Sequence, residues 1–466
     1  MSVDELAPAP PPPSQLDEDD RLRPEFVRRV LAAVDAGDDD AARALVEPLH
    51  PADRADLFET VGENHRPALA RALGELIDAD VIAEMNDYVR EGLVDTLGPA
   101  QVAEIAAELD TDDAVAMIED MEADDQAAVL AQLGPEDRAA IENALSYPEE
   151  TAGRLMQRDL VAVGEHVTVG DIIDRLREDK EAAEDFYEIY VVDPAHRPIG
   201  YVQLSRLLRT ARAEKVADIM VRQQTLIPVD MDQEEVALRF QKYALISAAV
   251  VDPAGRLVGM ITADDIVHIV QEEASEDVTR LAGAGDGDIN QPIHLAVRTR
   301  LSWLIVNLGT AMLAASVVGM FQAEIAALAL LAVLMPIVSG MGGNAGTQTL
   351  AVTVRALATN QLTSANTARM VVREITIALA NGAALGTIIG VGVTLIFGNP
   401  TLGMVIAAAM AITNLAAGLA GFFVPVLLDR MDVDPAVSSA VFVTATTDII
   451  GFFSFLSLAG LAGLAG

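Results

Sequence analysis

Hydrophobic and polar positions along this chain change texture three times. From about Arg23 to Tyr147 apolar residues recur at three- and four-residue spacing, as in Val102, Ile105, Ala106 and Leu109, or Val115, Ile118 and Met121. That period predicts amphipathic helices. Gly98-Pro99, Asp110-Thr111-Asp112 and Gly134-Pro135 break them, and Leu97-Gly-Pro-Ala-Gln resembles Leu133-Gly-Pro-Glu-Asp. Proline suits the first turn of a helix. The expectation over 23–150 is an all-α N-domain, a right-angled and repeat-like stack of short helices, with a plain bundle as the simpler form. Residues 1–22 are proline-rich, then acidic, and are expected to be a disordered tail. The N-terminus is acidic rather than apolar, so no signal peptide is expected.

From about Leu155 to Glu273 strands alternate with helices, twice over. The first copy runs through 159–163, a helix from Thr168, 187–193, Pro198-Ile-Gly-Tyr-Val and a helix from Leu204. The second runs through 225–230, a helix from Gln233, 247–252, Arg256-Leu-Val-Gly-Met-Ile-Thr and a helix from Asp264. The order β-α-β-β-α and the repeated Val-Val-Asp-Pro-Ala at 191–195 and 250–254 resemble a tandem pair of α/β CBS domains, over 151–215 and 216–270. The resemblance implies adenine-nucleotide binding as an option, with a Thr and an Asp three residues on holding the ribose. Thr262 and Asp265 match this pattern in the second copy; Gln203 and Arg206 stand there in the first. Residues 271–297 read as an acidic connecting helix followed by a flexible turn.

After Arg298 the chain is predominantly apolar. Five stretches, about 300–321, 325–354, 374–397, 401–428 and 436–463, are long enough at about 20 residues to cross a bilayer. Arg298, Arg300, Arg355, Arg369, Arg373 and Arg430 fall before span one, between two and three, and between four and five. The positive-inside rule then predicts a cytoplasmic N-terminus and an extracytoplasmic C-terminus in the plasma membrane.

Within this domain, over 298–466, Pro336 to Gln348 reads Pro-Ile-Val-Ser-Gly-Met-Gly-Gly-Asn-Ala-Gly-Thr-Gln. Four glycines, a proline, an Asn and a Gln weaken a helix and add groups that lipid cannot solvate, so this stretch must face protein or a water-filled path. The glycines and Pro336 would let span two open. Asn344 and Gln348 could equally be helix–helix hydrogen bonds. Asp448, in Thr-Ala-Thr-Thr-Asp-Ile-Ile-Gly, is the one acid placed deep in a span. Such a carboxylate costs several kcal/mol unless it meets water or a cation. A protonated Asp448 bonded to Thr444 or Thr447 is the structural alternative. Together these features suggest a cation pathway through Asp448, Asn344 and Gly342.

Charge separates the two halves. The chain carries a formal −39, yet Arg298–Gly466 holds six bases and six acids, leaving 25 bases against 64 acids in the first 297 residues. An acidic soluble body repels nucleic acid and attracts divalent cations. Scarce lysine (Lys180, Lys215 and Lys242) offers a blander source for the excess, a salt-adapted or high-GC habitat. The absence of cysteine excludes disulfides and thiolate metal sites.

The order of acidic helical domain, CBS pair, linker helix and five spans resembles the MgtE family of magnesium transporters and channels. Pro336–Gln348, Arg355-Ala-Leu-Ala-Thr, Val433-Asp-Pro-Ala and Thr447-Asp-Ile-Ile-Gly carry the resemblance. It implies a homodimer with a pore on its two-fold axis, lined by spans two and five, with Asp448 as the pore carboxylate. It also implies regulatory Mg²⁺ that bridges acids and closes the pore. The matching positions are Asp80, Asp112, Asp232, Glu234, Asp265, Glu273, Glu276, Asp277 and Asp434. Relatives carry acids where this chain has Ala116, Ala244 and His268; Asp113 and Asp264 are nearby substitutes.

The implied function is Mg²⁺ uptake, with Mg²⁺ both substrate and regulatory ligand and ATP a further possible ligand. The same architecture conducting Mn²⁺, Co²⁺ or Ni²⁺ is the alternative. A CBS-regulated membrane enzyme is remote: all six histidines precede span one, no His-Glu-x-x-His is present, and an aspartyl protease needs two membrane acids. An anion channel conflicts with an acidic midpoint. The partners expected are a second copy, membrane lipid and Mg²⁺, with no nucleic acid.

Overall fold

The computed structural model describes residues 15–464, apart from 120, 179–185, 285–288, 364, 432 and 437–438. The proline run lies outside the described residues. The chain divides into two compact units, Met1–Val270 and Gln271–Gly466.

Residues 15–22 depart from the expected tail. Leu16 pairs with Leu22, Asp17 Oδ1 accepts the N–H groups of Asp19 and Arg21, and Leu22 packs against the first core. Leu22, at the far side of an Asp-closed turn, has somewhere apolar to go.

Ten short α-helices follow: α1 (Pro24–Asp35), α2 (Asp39–Val46), α3 (Pro51–Thr60), α4 (Arg66–Leu73), α5 (Ala79–Ala83), α6 (Asp87–Val94), α7 (Pro99–Glu108), α8 (Thr111–Glu119), α9 (Ala123–Leu130) and α10 (Pro135–Ala144). Proline opens α3, α7 and α10, while Asp38, Asp78 and Asn86 cap α2, α5 and α6. Helices this short cannot bury a face alone. From α2 to α10 each packs on the helix two places along, and one core runs from Phe26 to Ala144.

The next segment repeats one unit. β1 (Ala162–Gly164), α11 (Val169–Glu178), β2 (Glu188–Val192) and β3 (Pro198–Gln203) lead to α12 (Leu204–Leu208) and α13 (Val216–Ile219). Then come β4 (Leu226–Pro228), α14 (Gln233–Tyr243), β5 (Ser247–Val251), β6 (Leu257–Thr262) and α15 (Ala263–Ala282). In each sheet the first strand runs parallel to the second and the second antiparallel to the third. The register slips at Val191/Val192 and again at Val250/Val251, 59 residues later by the offset that also separates Glu188 from Ser247. Ser247 Oγ donates to Glu188 Oε2 at 3.0 Å and pairs with Tyr190 Oη at 2.9 Å. Burial pushes the Glu188 carboxyl above the usual range.

The connecting helix differs from the expected 271–297. It begins at Ala263, continuous with the last CBS element, and ends at Ala282, where Gly283 adopts φ +67°.

The C-terminal unit contains α16 (Ile293–Gly319), α17 (Gln322–Ala327), α18 (Leu330–Ala358), α19 (Thr367–Phe397), α20 (Pro400–Asp429) and α21 (Ser439–Leu461). All but α17 are long and apolar enough to cross a membrane. α16 and α19 each begin seven residues before the expected spans, and α21 begins three later. α18 stays unbroken through Pro336 and the glycines, so the expected opening is absent. Pro336 lies in the second turn, where a missing N–H frees only one early carbonyl. α20 is the most buried span and packs on α18, α19 and α21; α16 packs chiefly on α21.

Candidate functional site

Asp448 is the tenth residue of α21, about 14 Å along that helix at 1.5 Å per residue. Its Oδ1 accepts a hydrogen bond from Ser339 Oγ of α18. The partner is therefore Ser339; the hydroxyls of Thr444 and Thr447 are not what holds it. Thr447 turns its hydroxyl back to Thr444 O at 2.9 Å.

Along α18 the positions Pro336, Gly340, Asn344, Thr347 and Gln348 are exposed in the chain, forming one open face with Ser339 at its edge. Thr347 Oγ1 satisfies itself on Gly343 O at 2.8 Å. Asn344 and Gln348 share this open face, which no other helix among the described residues covers.

Gly342, expected to line the pathway, does not join that face. It is buried, and a Cβ there would collide with Thr413 Cγ2 of α20. One turn on, a Cβ at Gly346 would lie 2.6 Å from Val443 Cγ1 of α21. These two glycines bring α18 against α20 and α21, a packing role.

A second membrane carboxylate was missed. Glu374 is the eighth residue of α19, about 10 Å along it, because the helix starts earlier than the apolar run suggests. It is buried and accepts from Thr349 Oγ1 of α18 at 3.3 Å. The signal available in sequence was Glu374 beside Arg373, read as a span end.

The expected regulatory acids fall into separate groups. In the first unit Asp112 and Asp113, on the first turn of α8, approach Asp265 at the start of α15. Burial, then repulsion from Asp265, Asp113 and Asp110, holds the Asp112 carboxyl well above its usual range. Burial, then Asp265 and Asp110, pushes Asp113 up to about 6 against the opposing pull of Arg90 and His268. Asp112 Oδ1 is buried without a hydrogen-bond partner. Carboxylates that repel, with one oxygen orphaned, fit a cation. His268 lies close enough to oppose the rise at Asp113.

Thr262 N and Oγ1 donate to Asp265 Oδ2 at 3.1 and 2.6 Å, and Gln157 Nε2 reaches the same oxygen at 3.4 Å. Thr262 is buried, with its hydroxyl committed to Asp265. In this conformation the pair caps α15 and presents no free hydroxyl to a ribose.

Asp232 caps α14, its Oδ1 accepting Glu234 N at 2.9 Å, and Asp80 sits exposed on the first turn of α5. Ala244 ends α14 with φ +50°. In the second unit Arg280 Nη1 donates to Asp434 Oδ2 at 2.6 Å, and Nη2 pairs with Glu276. Burial, then Asp434, raises the Asp277 carboxyl. Glu273 lies one turn before Asp277, half-buried on α15. Among the described residues no three carboxylates or histidines converge as a ready metal-ligand set.

This fold and site define a multi-pass membrane protein whose five spans follow a helical domain and a CBS pair. The family described as "Divalent cation transporter" matches residues 335–458, "MgtE intracellular N domain" matches 49–150, and "CBS domain" matches 152–212 and 216–272. A Bacillus subtilis (strain 168) protein named "Magnesium transporter MgtE" is 31% identical over 91% of this chain and 95% of its own length. A protein of the same name from Enterococcus faecalis is 33% identical over 87% of this chain and 90% of its own. A solved structure described as "the cytosolic domain of the Mg2+ channel MgtE in complex with ATP" is 32% identical, with TM-score 0.48, over 52% of this chain and 99% of that one. The chain belongs to the MgtE family, whose members are transporters and not enzymes.

Proposed function

We propose that this chain takes up Mg²⁺ through a pore along α18 and α21, and that cytosolic Mg²⁺ closes that pore. The observation that carries the reading is Asp448, deep in α21 and held by Ser339 beside the open polar face of α18. Hydrocarbon cannot solvate Asn344 and Gln348, so the face needs a covering partner. A second copy related by a two-fold axis supplies one and brings two Asp448 carboxylates to a shared path. Mg²⁺ dehydrates reluctantly. Two carboxylates with neutral Asn344 neighbours hold it through its waters without trapping it.

Arginines at 298, 300, 355, 369, 373 and 430 orient the acidic unit toward the cytoplasm and the C-terminus outward. For regulation, Asp112, Asp113 and Asp265 form one candidate site, and Glu276, Asp277 and Asp434, with Glu273, a second. Bound Mg²⁺ adds positive charge at two corners where acids outnumber bases. It favours the closed state by the difference in its affinity for the two states. Asp80, on α5, and Asp232 and Glu234, at the start of α14, are further candidate acids for the regulatory ion. The ATP carried by the related cytosolic domain supports nucleotide binding here only if Thr262 releases Asp265. The family description, which names divalent cations generally, favours Mn²⁺, Co²⁺ or Ni²⁺ as the second reading.

The test is Mg²⁺ flux into proteoliposomes, with internal Mg²⁺ stepped from micromolar to millimolar. Wild-type flux should fall as internal Mg²⁺ rises, and Asp448→Ala should abolish it. Undiminished flux in Asp448→Ala would sink the pore assignment. Flux of Mn²⁺ or Co²⁺ without Mg²⁺ would transfer the reading to those ions.

A further inference from the structure

Within the second unit, two consecutive residues at the end of α15 hold to its other elements in different ways. Arg280 reaches Asp434 in the segment before α21, 154 residues away, and also pairs with Glu276 one turn back. Leu281 packs into an apolar cluster with Leu350 and Val354 of α18, Ala436, and Val443 of α21. Leu350 lies six residues from Asn344, and Val443 five from Asp448. Gly283 then ends the helix, its Cα facing Trp303 of α16.

Among the described residues Arg280 pairs with Glu276 and Asp434, with a third acid, Asp277, beside them. Without Arg280 the corner would carry three like charges in partly buried surroundings. Like charges so placed push their elements apart. A guanidinium is always protonated, and its fork of donors spans two carboxylates. It takes Asp434 Oδ2 and one Glu276 oxygen, so a metal at this corner would bind beside the guanidinium, through Asp277 and the carboxylate oxygens it leaves.

We propose that Arg280 is a positioning residue of the gate, a resident cation that seats the end of α15 on α18 and α21 with no metal bound. Closure by Mg²⁺ then adds to a seat already made. This rests on the gated-pore reading above, and deepens it.

The test uses full-length protein in lipid nanodiscs and reads hydrogen exchange over residues 276–283 without Mg²⁺. Arg280→Gln should exchange about fivefold faster than wild type, the size expected of one partly exposed ion pair. Asp434→Asn should do the same, and the double variant should be no faster than either single. Arg280→Lys, which keeps the charge, should stay closer to wild type. In proteoliposomes Arg280→Gln should need about fivefold more internal Mg²⁺ for half-closure. Exchange within twofold of wild type in Arg280→Gln, or strictly additive effects of the two singles, would overturn the proposal. If wild type carries no Asp448-dependent flux, the pore reading fails while the exchange measurement still decides the latch.

Discussion

Replacing Asp113 by Asn should stabilise the metal-free acidic unit at neutral pH and make it less responsive to Mg²⁺. Asp113 lies among Asp110, Asp112 and Asp265, and its carboxyl is pushed up to about 6 from an ordinary value of 3.8. A folded-state value above the unfolded one means the folded state holds the proton more tightly. That contribution is fully present below about pH 4 and is lost as pH rises through about 6. At pH 7 ionised Asp113 therefore costs about 3 kcal/mol, at 1.36 kcal/mol per unit of pKa. Asn keeps the shape and removes the charge. It should recover about 2 kcal/mol, allowing for the buried amide that replaces the carboxylate, or about 4–8 °C in a unit of this size.

The assay is urea or thermal unfolding of the full-length protein in detergent, followed by far-ultraviolet circular dichroism at pH 5 and pH 7, with and without Mg²⁺. The one tryptophan, Trp303, is in α16, so its fluorescence would report the wrong unit. Wild type without metal should be more stable at pH 5 than at pH 7, and Mg²⁺ should close that difference. Asp113→Asn should flatten the pH dependence and reduce the gain from Mg²⁺. A variant less stable than wild type at pH 7 without metal would refute the repulsion argument.

Two further substitutions probe packing and backbone. Gly342→Ala should destabilise the second unit by about 1–3 kcal/mol through overpacking against Thr413, and Thr413→Ser should rescue it by removing Cγ2; unfolding in detergent reads this, and a conduction change with unaltered stability would return Gly342 to the pore. Ala244→Gly should stabilise the first unit by about 1 kcal/mol, because Ala244 ends α14 in the left-handed region that a Cβ disfavours; a lower melting temperature would refute it.

The large divisions of this chain are legible without coordinates, since each rests on a period. Three–four spacing marks the short helices, the repeated Val-Val-Asp-Pro-Ala marks the paired sheets, and apolar length marks the spans. Asp448 is legible because a deep acid in an apolar run has few structural excuses. What stayed hidden needs rotation or distant pairing. Gly342 and Asn344 are two residues apart, yet one faces Thr413 and the other the open side of α18. Glu374 was concealed by a boundary seven residues off, since the first turns of α19 contain Thr, Arg and Arg. Arg280 could not be matched to Asp434 across 154 residues, because neither residue type is unusual where it stands.

The two CBS copies keep the same strand order, the same pairing and the same register slip, while their side chains at the strand ends have parted: Glu188 against Ser247, Gln203 against Thr262. The backbone of the two copies is thus alike while the side chains at the strand ends differ. The second copy lies next to Asp112 and Asp113 through Asp265; the first offers an arginine, Arg206, at the matching place. Exchanging Gln203 and Arg206 for Thr and Asp would place the second copy's hydroxyl–carboxylate cap on the first, on an unchanged frame.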